Sequence, residues 1–187
     1  MDRRYVFDDW ILVGRIWYAA LGPAPTDVSA LESQFHAPGW KVTFGWGTMV
    51  ARASAGIARR DDPAACQAAY ESLLAITHRH RPFVSQEVTF RALLAELSVY
   101  TGRPDDALRH ADEGLALPVC STPLTLTLLH HARVHGLVAA GRADEARAAL
   151  DGAVARHHRF AETLDADDRP RWSAHPLNAR TLALAAP

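Results

Sequence analysis

"GRPDDALRHADEGLAL" (residues 102–117) and "GRADEARAALDGAVA" (residues 141–155) are two versions of one phrase. Each begins Gly-Arg, carries acids near its start and continues in small apolar residues. With Gly102 laid on Gly141, Ala107 and Ala146 stand five residues on, and Ala111 and Leu150 nine on. Gly114 and Ala153 stand twelve on, followed by Leu115 and Val154. These offsets trace one face of a helix of 3.6-residue period. The small residues at offsets five and twelve predict a close approach to a neighbouring helix. The same ruler set at Arg60 meets Ala65, Ala69, Ser72 and Leu73. Set at Gly22 it meets Asp27, Leu31, Gln34 and Phe35, a weaker match. The four anchors are 38, 42 and 39 residues apart. A period of about 40 residues with two helices per unit is the mark of a helical solenoid, whose hairpins bury their apolar faces only by stacking.

Breakers between the anchors divide the chain into segments rich in Ala, Leu, Arg and Glu, which are strong helix formers. Thr122-Pro123 and Asp62-Pro63 each place a capping residue before a proline at the first helical position. Pro104-Asp105-Asp106 adds acids where the helix dipole favours them. The expected helices are 6–21, 26–36, 42–60, 63–79, 85–101, 104–117, 123–140, 143–161 and a last one near 175–185. Only "WKVTFGW" (40–46) has any β character. Residues 162–175 read as a loop with Trp172 pinned against the last hairpin. The chain is thus expected to be one domain: repeats over 1–161, then a C-terminal loop and capping helix over 162–187.

A length of 187 residues and 49% hydrophobic content suit a single soluble domain with a real core. The formal charge of −1 leaves no electrostatic footprint for nucleic acid. No apolar run approaches the roughly 20 residues that span a bilayer, so the expectation is a cytoplasmic protein without membrane contact. Nineteen arginines against one lysine, Lys41, suggest a GC-rich, bacterial source. Cys66 and Cys120 form no metal or redox spacing and read as free thiols. "FGWGTM" lacks the third glycine of a dinucleotide loop, and GxSxG is absent, so no cofactor is expected.

With these residues the chain resembles the tetratricopeptide-repeat family, in the degenerate form found in bacterial regulators. Gly102 with Ala107 and Gly141 with Ala146 match the family's turn glycine and following small residue. Leu94, Ala95, Gly114 and Leu115 fall where it places apolar residues. The family's unit is about 34 residues, shorter than the units here. In the third unit Arg91 stands in place of its early Trp, and Ser98 in place of its Tyr. The resemblance covers roughly residues 6–161. It implies an all-α, right-handed superhelix of about four antiparallel hairpins with a C-terminal cap helix. It also implies a concave groove lined by the first helix of each hairpin. Carried over position by position, the groove residues are Val50 and Ser54 in the second unit, Thr89, Glu96 and Tyr100 in the third, and His131 and His135 in the fourth. Glu96 and His135 would face each other across the groove.

The function expected from this resemblance is non-catalytic recognition of a peptide, a partner protein or a small ligand, in a regulatory or accessory role. The alternative is an enzyme or small-molecule-binding protein of a specialised pathway, with Glu96, His131 and His135 in a helical pocket. His131 and His135 have the i, i+4 spacing that lets two imidazoles share a metal, but HExxH is absent and no metal is assigned. Val6, Trp10, Val13, Trp17 and Leu21 form one helical stripe. It reads as N-terminal core packing, with Trp10 and Trp17 as a possible partner or homodimer interface.

Overall fold

The computed structural model describes residues 4–22, 26–33, 45–79, 84–118 and 122–185, with the side chains of 4–12, 32, 45–46 and 84–85 left out of the description. All regular structure among them is helical: α1 (Arg4–Leu21), α2 (Ser29–Glu32), α3 (Gly45–Ala58), α4 (Pro63–Arg79), α5 (Val84–Tyr100), α6 (Pro104–Ala116), α7 (Pro123–Ala139), α8 (Ala143–Glu162), α9 (Asp168–Ala174) and α10 (Pro176–Ala183). None of the described helices is long and apolar enough to cross a membrane.

The order of packing is that of stacked hairpins. α1 packs on α3, α3 on α5 and α5 on α7, forming one row. α4 lies against α3 and α5, α6 against α5 and α7, and α8 against α7. α10 folds back onto α7 and α8. The core runs from α1 through α5 and includes Ile16, Val50, Ile57, Leu73, Leu93, Leu94 and Leu97. A second apolar cluster joins Leu21, Val88, Ala92, Leu128, Leu129 and Leu177. Small residues set the helix spacing, as the repeated phrase predicts. Ala107 and Ala111 are buried. A Cβ on Gly114 would meet Leu129 Cδ2 at 2.7 Å and Arg91 Cβ at 3.0 Å, so α6 lies tight against both α5 and α7.

The two phrases open on the same turn. Gly102 (φ 68°) and Gly141 (φ 72°) are left-handed, a conformation that costs a residue bearing a Cβ. The Gly102 N–H donates to Val99 O (3.3 Å) and the Arg103 N–H to Ser98 O (2.9 Å). The Gly141 N–H donates to Val138 O (3.0 Å) and the Arg142 N–H to Leu137 O (2.9 Å). This is the Schellman arrangement, which satisfies the last carbonyls of the preceding helix. The third anchor differs. At Arg60 the turn spans 59–62 with no left-handed residue. There Asp62 caps α4, its Oδ1 accepting from the N–H groups of Ala64 (3.0 Å) and Ala65 (3.1 Å). The helix–turn–helix arrangement recurs here, but this turn is built by another device.

One expectation is corrected, and others fall partly outside the described residues. The helix expected over 26–36 is described only as α2 and a following turn, and residues 34–44, with most of the β-like stretch, lie outside the described residues. Cys120 also lies outside them; Cys66 is buried and free, its Sγ 3.3 Å from Gly56 O, and burial pushes its thiol up to about 11. The stretch expected as a loop before the last helix contains α9. Pro170 falls in its first turn, where a missing N–H leaves no bond broken. Trp172 is pinned as expected, stacked on His157 at 5.8 Å between ring centres and tilted against Phe160 at 4.6 Å.

The Schellman turns make a direct prediction. Gly102→Ala and Gly141→Ala should each destabilise the chain by about 1–2 kcal/mol in urea unfolding. Gly152→Ala, in mid-helix with open space around it, should stabilise it by about 0.5–1 kcal/mol. Equal effects at the three positions would refute this reading of the turns.

Candidate functional site

Helix α5 buries Leu93, Leu94 and Leu97, and the same winding buries Glu96, which has 0% of its surface exposed. Tyr100 stands one turn later, its hydroxyl donating to Glu96 Oε1 at 2.7 Å. On the neighbouring α7, His131 is buried and His135 half-buried, their ring centres 4.5 Å apart. Two adjacent helices of the row therefore bring a carboxylate, a phenol and two imidazoles to one face.

A fifth group completes the cluster, and it comes from the end of the chain. Arg180 of α10 reaches Glu96 Oε1 at 2.9 Å, Tyr100 Oη at 2.6 Å and His131 Nε2 at 3.1 Å, all through Nη2. Its neighbour Thr181 lies 3.3 Å from His131 Nδ1. A guanidinium can only donate, so His131 accepts at Nε2 and carries its proton on Nδ1. Thr181 donates its own hydrogen to Leu177 O at 3.0 Å and accepts from Nδ1. The imidazole is thus held in one tautomer by two successive residues of α10.

The electrostatics follow from burial. Burial alone would raise the Glu96 carboxyl, but the charge of Arg180 and the hydrogen bonds from Tyr100 and Arg180 outweigh it and hold the group ionised, below the ordinary carboxylate range. Burial pushes the His131 ring down to about 3, against the opposite pull of Glu96, so it is neutral at physiological pH. His135 is lowered for the same reason. Tyr100 is raised, first by burial and then by the Glu96 charge. Arg60, in the turn after α3, is lowered by burial and also feels Tyr100, Arg180 and Glu96, while its Nη2 donates to Gly22 O at 2.9 Å.

Of the seven residues assigned to the groove, Glu96, Tyr100, His131 and His135 gather here. Val50 instead packs in the apolar core with residues of α1, α3 and α5. Ser54 is fully buried on α3, and its Oγ has no partner among the described residues. Thr89 is half-buried on α5, two turns before Glu96. Glu96 and His135 interact electrostatically, but the direct bonds run to Tyr100, Arg180 and His131. Arg180 and Thr181 were missed, because no local pattern ties them to a glutamate 84 positions earlier.

The two ring nitrogens of His131 are taken up by Arg180 and Thr181, which leaves the His131–His135 pair without the free imidazoles a metal requires. Among the described residues no group of three or more His, Cys, Asp or Glu is placed to hold a metal ion. A cavity beside α10, lined by Thr127, His130, His157, Trp172 and Thr181 among others, has about 20 Å3, room for about one water. A larger cleft of about 310 Å3 lies between α7, α8 and the end of α10, lined by Val134, Val138, Ala146, Leu150 and Leu184, and none of the cluster residues lines it. Trp17 is half-buried against both apolar clusters of the chain itself. The Trp10 side chain lies outside the described residues.

Neutral buried histidines give the stability a defined pH dependence. His110 on α6 is fully buried, and burial, then Arg109 and Arg91, push it down to about 4. His131 behaves likewise. Both take up a proton in the unfolded chain near pH 6.5 but not in the folded one. Their contribution is therefore whole above that pH and is lost as pH falls toward 4. Between pH 7 and pH 5 each should cost about 2 kcal/mol in urea unfolding. Glu96, lowered in the fold, adds a further loss below about pH 4.5. His110→Gln should remove one histidine's share of the slope between pH 7 and 5; an unchanged slope would contradict the assignment.

No family model matches the chain, and neither a curated protein nor a solved structure matches it.

Proposed function

We propose that the chain is a tetratricopeptide-like superhelical repeat, and that it works as a non-catalytic recognition protein. Its target is a segment of a partner protein or a peptide, seated on the face formed by α5 and α7, in a regulatory or accessory role. The observation that carries this reading is that the face already seats a helix. Glu96, Tyr100 and His131, the residues that the resemblance turns toward a ligand, hold Arg180 of α10. The stacking order of α3, α5 and α7 and the recurrence of one Schellman turn at Gly102 and Gly141 support the repeat.

Acid–base catalysis finds less support. A working acid or base needs a pKa near the operating pH. Here Glu96 is held ionised and His131 neutral, both away from that range. The cavity of about 20 Å3 beside Thr181 is far below the few hundred Å3 of a small-molecule site, and the cleft of about 310 Å3, which reaches that size, is lined by none of Glu96, Tyr100, His131 or His135.

The test is selection of binders from a displayed peptide library on the full chain. Selected peptides should lose at least about tenfold in affinity on Glu96→Gln and on His135→Ala. Asp151→Ala, an exposed change on α8, should leave binding unaltered. Peptides that bind all four proteins equally would place recognition elsewhere and remove this reading.

A further inference from the structure

The contact between Arg180 and its socket is incomplete in a specific way. One nitrogen, Nη2, faces three acceptors at 2.6–3.1 Å but carries only two hydrogens. Arg180 Nη1 and Glu96 Oε2 are both buried with no partner among the described residues. An arginine and a carboxylate pair best as two parallel bonds, fork to fork. This pair makes one bond and leaves the matching atoms of the second unused. A partly satisfied buried network is less stable than a complete one. The socket therefore suits a guanidinium better than it is served by the one it holds.

The way α10 is attached supports the same point. α9 is fastened to α8 by the stacking of Trp172 on His157. Between α9 and α10 the backbone turns through a single extended residue, His175 (φ −57°, ψ 131°). Beyond this joint α10 has eight residues, too few for a helix that persists by itself. It is held by Leu177 in the apolar cluster with Leu21, Val88 and Leu128, by Arg180 and Thr181 on the polar cluster, and by Asn178, whose Nδ2 donates to Trp172 O of α9 at 2.7 Å. Positions 177, 180 and 181 are one face of a helix. Asn178 Oδ1 and His175 Nδ1 are buried without partners among the described residues, so the seat is imperfect at its edges too.

We propose that α10 is a displaceable occupant of the recognition face, swinging on His175. The partner segment that replaces it is a short helix with an apolar residue followed three positions later by an arginine, whose two terminal nitrogens pair with both oxygens of Glu96. This rests on the recognition face proposed above and adds its ligand chemistry and its regulation. The tethered α10 acts as a competitor at an effective concentration in the millimolar range. Only a segment that binds better than α10, or a change that weakens α10, opens the face.

The test uses the full chain and a fluorescent peptide of residues 174–185, "AHPLNARTLALA". Arg180→Ala in the protein weakens the resident helix and frees Glu96. The protein variant should bind the peptide at least about tenfold more tightly than the parent chain does. Lysine in place of arginine in the peptide should lose about tenfold on that variant, since an ammonium cannot form the fork. Adding Glu96→Gln to the variant should abolish the gain. Equal binding to parent and Arg180→Ala, still dependent on Glu96, would overturn the displacement while leaving the recognition face standing. No binding of this peptide alongside Glu96-dependent library peptides would do the same. No Glu96-dependent peptide of either kind would remove both. Should Arg180→Ala fail to fold, hydrogen exchange on the parent decides: α10 amides should exchange by local opening, well before those of α7. Exchange of α10 only with global unfolding would overturn the proposal.

Discussion

Burying the Glu96 carboxylate in the C-terminal half of α5 obliges the fold to bring a cation to it. An ionised carboxylate removed from water without compensation is among the costliest events in folding. Glu96 lies in a helix whose neighbouring positions, Leu93, Leu94 and Leu97, are wholly enclosed, so it cannot turn away to solvent. The positive charge that touches it comes from α10. Helix α10 is therefore tied to the row by electrostatics, and also by Leu177 in the apolar cluster. Tyr100 and His131 complete a network in which each member constrains the next.

That network sits on a scaffold made from ordinary parts. Alanines and Gly114 let α5, α6 and α7 approach closely, which makes the row of first helices continuous. Continuity places Glu96 and His131 on neighbouring helices at one level. Ion pairs such as Arg109 with Asp106 on α6, and Arg133 of α7 with Asp112 of α6, are largely open to solvent and contribute little. Stability lies in the packing between helices, while the polar cluster decides what rests on their shared face.

Much of this was legible in the residues. Glycine in a left-handed turn, acids at a helix start and a small residue five positions on have local physical causes, so the hairpins at Gly102 and Gly141 could be read directly. Glu96, Tyr100 and His131 were located because helical period and repeat register place them on one side. Val50 shows the limit of that register: the second unit joins its helices by the Asp62 cap, and a groove position carried into it became core. Arg180 was out of reach, because its partner is fixed only when the chain folds back. Trp172 could be placed, as a large aromatic in a polar tail must find cover, but Pro170 disguised the helix that carries it.

The single tautomer of His131 has a consequence for observing this protein. Arg180 faces Nε2 and Thr181 receives the Nδ1 proton, so the tautomer of the neutral ring is set by α10. Once α10 departs, both constraints vanish together and water can reach the imidazole. Its nitrogen resonances would then shift toward those of an ordinary exchanging histidine. One side chain in the middle of α7 thus serves as a spectroscopic reporter for the position of a helix about 50 residues further along the chain.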